Sequence, residues 1–124
     1  MGYIFRIVKT SSRDFICDEI KYLSTSKEVI EEMGEPLLYN KNQWWHFAYI
    51  ENKMAGFIAY SGNKILYAYT MPEFRNKGVF HHIYNSIPSK NWETIASNMS
   101  YPIFLSLGFK VVKNYKTCHK LKLT

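Results

Sequence analysis

Tyr69-Thr70-Met71-Pro72-Glu73-Phe74-Arg75-Asn76-Lys77-Gly78-Val79-Phe80 is the stretch on which the fold turns. It closes a run rich in β-branched and aromatic residues (65–71) with a proline, whose ring removes a ladder donor and ends the strand. A polar loop follows, and then Val79, Phe80, Ile83, Tyr84 and Ile87 recur at helical spacing until Pro88 closes the segment. A strand that passes straight into a helix points the helix's first free amides at one spot beyond the strand end, where an anion is stabilised without a dedicated side chain. Gly78 admits a close backbone approach there, and Arg75 and Lys77 add charge. The same residues also suit a plain tight turn with two solvated cations, and spacing alone does not choose.

Upstream, residues 44–50 and 54–60 read as two strands joined by the hairpin-type connection Glu51-Asn52-Lys53. The turn signal Ser61-Gly62-Asn63 leads into the strand that ends at Pro72, so the three form an antiparallel meander. Ahead of them, residues 4–9 form a first strand that runs into the polar break Thr10-Ser11-Ser12. Phe15, Ile16, Ile20 and Leu23 stripe one helix over about residues 13–23, and a second, capped near Ser26, carries Val29, Ile30 and Met33 before Gly34 stops it. Downstream, residues 92–96 form a short strand. A helix capped by Asn98 or Ser100 carries Met99, Ile103, Phe104 and Leu107, tolerates Pro102 in its first turn and stops at Gly108. Residues 109–112 and 117–123 then pair as a hairpin around 113–116. The order β-α-α-β-β-β-α-β-α-β-β, without repeat or linker, gives an α+β (mixed α/β) fold built on one sheet, with 1–124 as one domain.

The 124 residues, 47% hydrophobic and 17% aromatic, carry enough apolar surface for a packed core and exclude disorder. Cys17 and Cys118 stand at opposite ends of the chain, which leaves no zinc knuckle or dense disulfide framework and makes a reducing cytoplasm the expected setting. Neither a signal peptide nor a membrane span is legible, and Arg6 breaks the myristoylation pattern that Gly2 would begin. A net charge of +6 suits phosphate-bearing ligands but is also ordinary for solubility. The lysine-rich tail from Lys110 to Lys122 alternates with apolar residues, as a solvated strand face does. His81-His82 cannot chelate one ion, because adjacent helical side chains point about 100° apart. Cys118-His119 lacks partners at ligand spacing, so no metal is expected. Of the pair Trp44-Trp45, alternation turns one toward the core.

Two motifs together carry a resemblance. The stretch 69–80 resembles the coenzyme A loop of the GNAT superfamily of acyl-CoA-dependent N-acyltransferases, in which an Arg or Gln, two residues, Gly, one residue and then Gly or Ala directly follow a strand. Ile95-Ala96-Ser97-Asn98, followed by Ile103-Phe104-Leu105-Ser106-Leu107-Gly108-Phe109, resembles that superfamily's strand, Asn, helix and terminal Leu-Gly-Phe. The element order matches over nearly the whole chain. The resemblance implies a central, mostly antiparallel sheet flanked by about four helices, and acetyl-CoA as co-substrate with no metal.

Carried over by position, it implies that amides at Asn76, Lys77, Gly78, Val79 and Phe80 hold the pyrophosphate, with Arg75 at the entrance. Tyr69 and Met71 would line the pantetheine arm, where two strands splay apart, with Asn98 on the far side and an amide near Met71 as oxyanion donor. Phe80 stands where the pattern prefers Gly or Ala. Phe104, by position one of the cofactor-binding residues, stands where a Tyr often protonates the departing thiolate, and phenylalanine has no proton to give. Tyr67, Glu73, Tyr101, Tyr115 and His119 are the candidates for proton handling, and none is selected by spacing.

The implied function is transfer of an acetyl group to an amine, on a small molecule or a protein, by direct attack on the thioester. The alternatives are a non-catalytic CoA- or nucleic-acid-binding module of the same fold, and acyl-CoA-dependent modification of a nucleic acid or basic protein, nucleic acid being a partner class placed second; no membrane partner is expected.

Overall fold

The computed structural model describes residues 6–11, 27, 31, 43–98 and 100–123. Among the described residues seven strands form one sheet, in the order β1-β2-β3-β4-β5-β7-β6. They are β1 (Arg6–Ser11), β2 (Trp44–Ile50), β3 (Lys53–Ser61), β4 (Lys64–Thr70), β5 (Glu93–Ser97), β6 (Lys110–Asn114) and β7 (Cys118–Lys122). Helix α1 (Val79–Tyr84) lies between β4 and β5, and α2 (Tyr101–Ser106) between β5 and β6. Every neighbouring pair is antiparallel except β4 with β5, which the crossover through α1 makes parallel. The mostly antiparallel α+β sheet and the β2-β3-β4 meander are as the sequence implies. Of the two expected N-terminal helices only Lys27 and Glu31 are described, both helical and exposed. The rest of those segments lies outside the described residues, as does Cys17.

Several boundaries move. Thr10 and Ser11 belong to β1, paired with Trp45 and Trp44, because ladder bonds to β2 override their turn preference. The β2-β3 connection is a two-residue turn: Ile50 pairs with Lys53, and Glu51 and Asn52 sit at φ 50° and 67°, both left-handed as a type I′ hairpin demands. Helix α1 ends at Tyr84, three residues before Ile87, where Ser86 N–H turns back to the Ile83 carbonyl at 2.9 Å. Gly108, at φ 97°, ends the last helical stretch as expected.

The sheet separates two cores. Ile58, Ile65, Ala96 and Leu121 face α1 and α2, meeting Val79, Ile83, Phe104 and Phe109. On the opposite face Trp45, Phe47, Phe57 and Tyr69 form an aromatic cluster, so Trp45 is the inward member of its pair and Trp44 is exposed. A polar chain, buried at His46 and Tyr60 and reaching the surface at Ser86, ties β2 and β3 to the end of α1. Ser86 Oγ donates to the Ile83 carbonyl (2.6 Å) and therefore accepts from His46 Nδ1 (2.9 Å). His46 Nε2 is left to accept the Tyr60 hydroxyl at 3.1 Å. Among the described residues no helix is long and apolar enough to cross a membrane.

Candidate functional site

β4 and β5 pair only at Lys64↔Glu93 and Ile65↔Thr94. Beyond that point they part, and Thr94 Oγ1, donating to the Ile65 carbonyl at 3.1 Å, sits in the crotch of the fork. The gap is a cleft of about 530 Å³, walled by residues 66–70 on one side and 94–97 on the other, and reaching the loop after β4, the start of α1, and Ile103 and Phe104 of α2. That volume falls within the roughly 300–1,000 Å³ of small-molecule sites.

The fork leaves main-chain groups unladdered. Met71 N–H donates to the Ala55 carbonyl at 2.8 Å, toward β3. Alternation along an antiparallel strand therefore turns the peptide groups of Thr70 and Ala68 the other way, into the cleft. The Thr70 carbonyl indeed receives Arg75 Nε at 3.0 Å from that side. Amides and carbonyls on an open strand edge are the groups that bond a linear ligand's own amides.

The loop is set by three local devices. Pro72–Phe74 makes one 3-10 turn, with Phe74 N–H bonded to the Met71 carbonyl at 2.9 Å and the Phe74 ring buried. Asn76 and Gly78 are both left-handed, at φ 64° and 77°. A β-carbon built on Gly78 meets nothing within 4 Å, so backbone angle demands glycine there and the space beside it is open. The first bond of α1 runs from His82 N–H to the Gly78 carbonyl at 3.0 Å, so the amides of Val79, Phe80 and His81 precede the helical ladder.

Of the residues expected to bind cofactor, Tyr69, Arg75, Asn76, Gly78, Val79, Phe80 and Phe104 line this cleft. Met71, Lys77 and Asn98 are not among its lining residues. Met71 packs between the two cores and its amide is committed to Ala55, so the strand-end amide that faces the cleft is that of Thr70. Lys77 is exposed. Asn98 Oδ1 instead lies 2.7 Å from His119 Nε2, whose Nδ1 meets Asn114 Oδ1 at 2.7 Å. Phe80 is half-buried, edge to face with Phe104 at 5.4 Å and stacked on Tyr84 at 6.1 Å, so the residue standing where the pattern prefers Gly or Ala packs against the core while it lines the cleft.

Among the proton-handling candidates only Tyr67 lines the cleft. Glu73 is exposed on the loop, Tyr101 lies tilted against the His119 ring with centroids 4.1 Å apart, and Tyr115 lies under the Lys113 ammonium at 5.1 Å. Burial pushes the Tyr60 and Tyr84 hydroxyls above their ordinary range, and neither lines the cleft. No group of three metal-ligating side chains exists among the described residues. Sequence reading missed Thr94, Ser97, Ser100 and Gly56. Ser97 Oγ accepts the Ser100 amide at 3.2 Å at the cleft's far rim. A β-carbon on Gly56 would sit 2.7 Å from the Tyr69 carbonyl oxygen. Polar residues at the end of β5 were the only available signal for the serines.

No protein-family model matches the chain, and no curated protein matches it in sequence. Solved structures do match. An acyl-CoA N-acyltransferase from Pseudomonas aeruginosa superposes with a TM-score of 0.74 at 11% identity, over 98% of this chain and 100% of that one. PaiA N-acetyltransferase from Thermoplasma acidophilum, solved with coenzyme A, gives 0.61 at 15% identity, over 96% and 98%. A GNAT family acetyltransferase from Elizabethkingia anophelis with acetyl-CoA bound gives 0.61 at 14% identity, over 95% of each chain. The chain thus has the fold of these acyltransferases.

Proposed function

We propose that this chain, built on the GNAT fold, binds acetyl-CoA in the β4-β5 fork and transfers its acetyl group to an amine. The observation that carries the reading is the fork itself: two parallel strands that pair at two positions and then open onto a loop with two left-handed residues and a helix start. In this reading the pyrophosphate lies against the amides of residues 76–80 beside Arg75, and the pantetheine amides bond the exposed peptide groups of Ala68 and Thr70. The thioester then sits deep between the strands.

A neutral amine attacks the thioester carbon and forms the N–C bond. The oxyanion is held by a cleft-facing main-chain N–H of β4 deeper in the fork than the pantetheine's contacts, and collapse breaks the C–S bond. The amine's proton goes to solvent, directly or past the Tyr67 hydroxyl. Phe104 donates nothing, so the sulfur leaves as thiolate, which the acidity of a thiol allows, and takes its proton from solvent afterwards. Positioning of an already activated ester supplies much of the rate. We place the reaction in the cytoplasm, where the free thiol of Cys118 stays reduced.

Thermal unfolding with and without acetyl-CoA tests the binding step: ligand at a hundred times its Kd raises stability by about 2.7 kcal/mol. Release of free thiol on adding amines tests transfer. An unmoved midpoint at millimolar acetyl-CoA would reject both the enzyme and a CoA-binding module; a shift without thiol release would leave the binding module.

A further inference from the structure

The register of β5, β7 and β6 sorts their side chains onto two faces. Thr94, Ala96, His119 and Leu121 share the helix side, since Ala96 and Leu121 lie in that core. The opposite face then carries Ile95, Lys120 and Lys122, and through β6 also Lys110 and Lys113. Lys110 is directly opposite Lys122, and Lys113 directly opposite Lys120. Like charges at such positions repel and destabilise the sheet. Only Lys122 is relieved, by Glu93 at 3.2 Å; no other ion pair reaches these lysines among the described residues. The grid joins the cleft without a break: Ile95, 63% exposed, lines the cleft and is the cross-strand partner of Lys120.

From this placement we infer that the lysine face of β6 and β7 docks an acidic, extended polypeptide segment and presents that partner's amine to the fork. The inference rests on the acyl-transfer reading and names its acceptor class. Lysines two residues apart on a strand are about 7 Å apart, the spacing of alternate carboxylates on an extended peptide. The residue that joins grid to cleft, Ile95, is aliphatic, and Leu66, exposed on the cleft's other wall, is too; both suit peptide side chains. Single-stranded nucleic acid asks instead for a run of aromatic rings that stack bases, and the exposed aromatic at the grid's end, Tyr115, stands alone there among the described residues with Lys113 Nζ 5.1 Å from its ring centre. Nucleobase amino groups are also conjugated and poorly nucleophilic. A positive field moreover disfavours the charged form of an incoming amine, which keeps it neutral and ready to attack. Basic acceptors are repelled by the same field.

The test uses the full chain and three fluorescent probes labelled at the end away from the reacting group: a decapeptide of alternating glutamate and alanine with a free α-amine, its lysine counterpart, and a thymidylate decamer. Anisotropy is expected to show binding of the acidic peptide alone, lost at high salt and weakened about tenfold in the double variant Lys113→Gln, Lys120→Gln, as two exposed charge contacts dictate. That variant should melt higher than the parent and keep its stabilisation by acetyl-CoA. If it does not fold, the salt dependence of the parent's peptide binding carries the test. Thiol release from acetyl-CoA should be faster with the acidic than with the lysine peptide. Equal binding of both peptides, tighter binding of the thymidylate, or acidic-peptide binding indifferent to salt and to the variant would each overturn the inference. Salt- and lysine-dependent peptide binding in a protein that acetyl-CoA fails to stabilise would reject the transfer reading while retaining the docking face.

Discussion

Arg75 folds back onto the strand it follows: its Nε donates to the Thr70 carbonyl at 3.0 Å while its guanidinium stands 5.4 Å from the centre of the Tyr69 ring. The side chain thus pins the loop to the end of β4 as well as placing charge at the cleft. Arg75→Glu should cost about 1 kcal/mol through the lost bond and weaken CoA about tenfold or more through charge reversal. Melting and calorimetric titration read the two effects separately, and unchanged CoA affinity would remove Arg75 from the site.

Gly56 lies opposite Thr70 at the end of β4, where an added β-carbon would lie 2.7 Å from the Tyr69 carbonyl oxygen, 3.2 Å from Val79 Cγ1 and 3.3 Å from Thr70 Cα. The nearest obstacle is backbone, which cannot swing aside. Gly56→Ala should therefore cost about 1–3 kcal/mol and displace the strand edge that faces the cleft. The prediction is a lower melting midpoint together with weaker acetyl-CoA stabilisation; a neutral substitution would show that β3 and β4 have slack there.

Phe104 is buried, lines the cleft and carries no hydroxyl. Phe104→Tyr should raise the rate of thiol release, by up to about a hundredfold if protonation of the thiolate limits turnover, and leave acetyl-CoA stabilisation as it was. A variant with unaltered kcat would indicate that sulfur departs without need of an acid.

Tyr60 is buried against His46, and desolvation raises its pKa above the ordinary 10.0. An unfolded tyrosine ionises at its ordinary value, so the group's stabilisation is complete below about pH 10 and drains away as pH climbs through the raised folded value. Tyr60→Phe should flatten part of that alkaline loss, Tyr84 retaining its own share. It also strips His46 Nε2 of its donor, which costs about 1–3 kcal/mol at neutral pH. Denaturant melts at neutral and alkaline pH check both signs.

Much of this was legible because it is written in local chemistry. Pro72, Gly78 and the apolar stripe from Val79 to Ile83 mark a strand, a loop and a helix start through effects that depend on a few neighbouring residues. What the sequence withheld depends on distant pairing. The resemblance implies that two strands splay apart, but nothing in residues 64–70 or 93–97 themselves says that their ladder stops after two pairs, and nothing in Gly56 says that Tyr69 passes over it. Asn98 looked like a cleft residue by position, but a partner 21 residues away, His119, holds its side chain elsewhere. The lysines of the tail read as a solvated face; only the register reveals that they stand opposite one another.

The most direct measurement is a backbone amide NMR titration with acetyl-CoA. The account predicts saturating shifts at residues 76–80 and at Ala68 and Thr70, with β6 and the β2-β3 turn unmoved. Shifts absent from the β4-β5 fork, or confined to the lysines of β6 and β7, would contradict it.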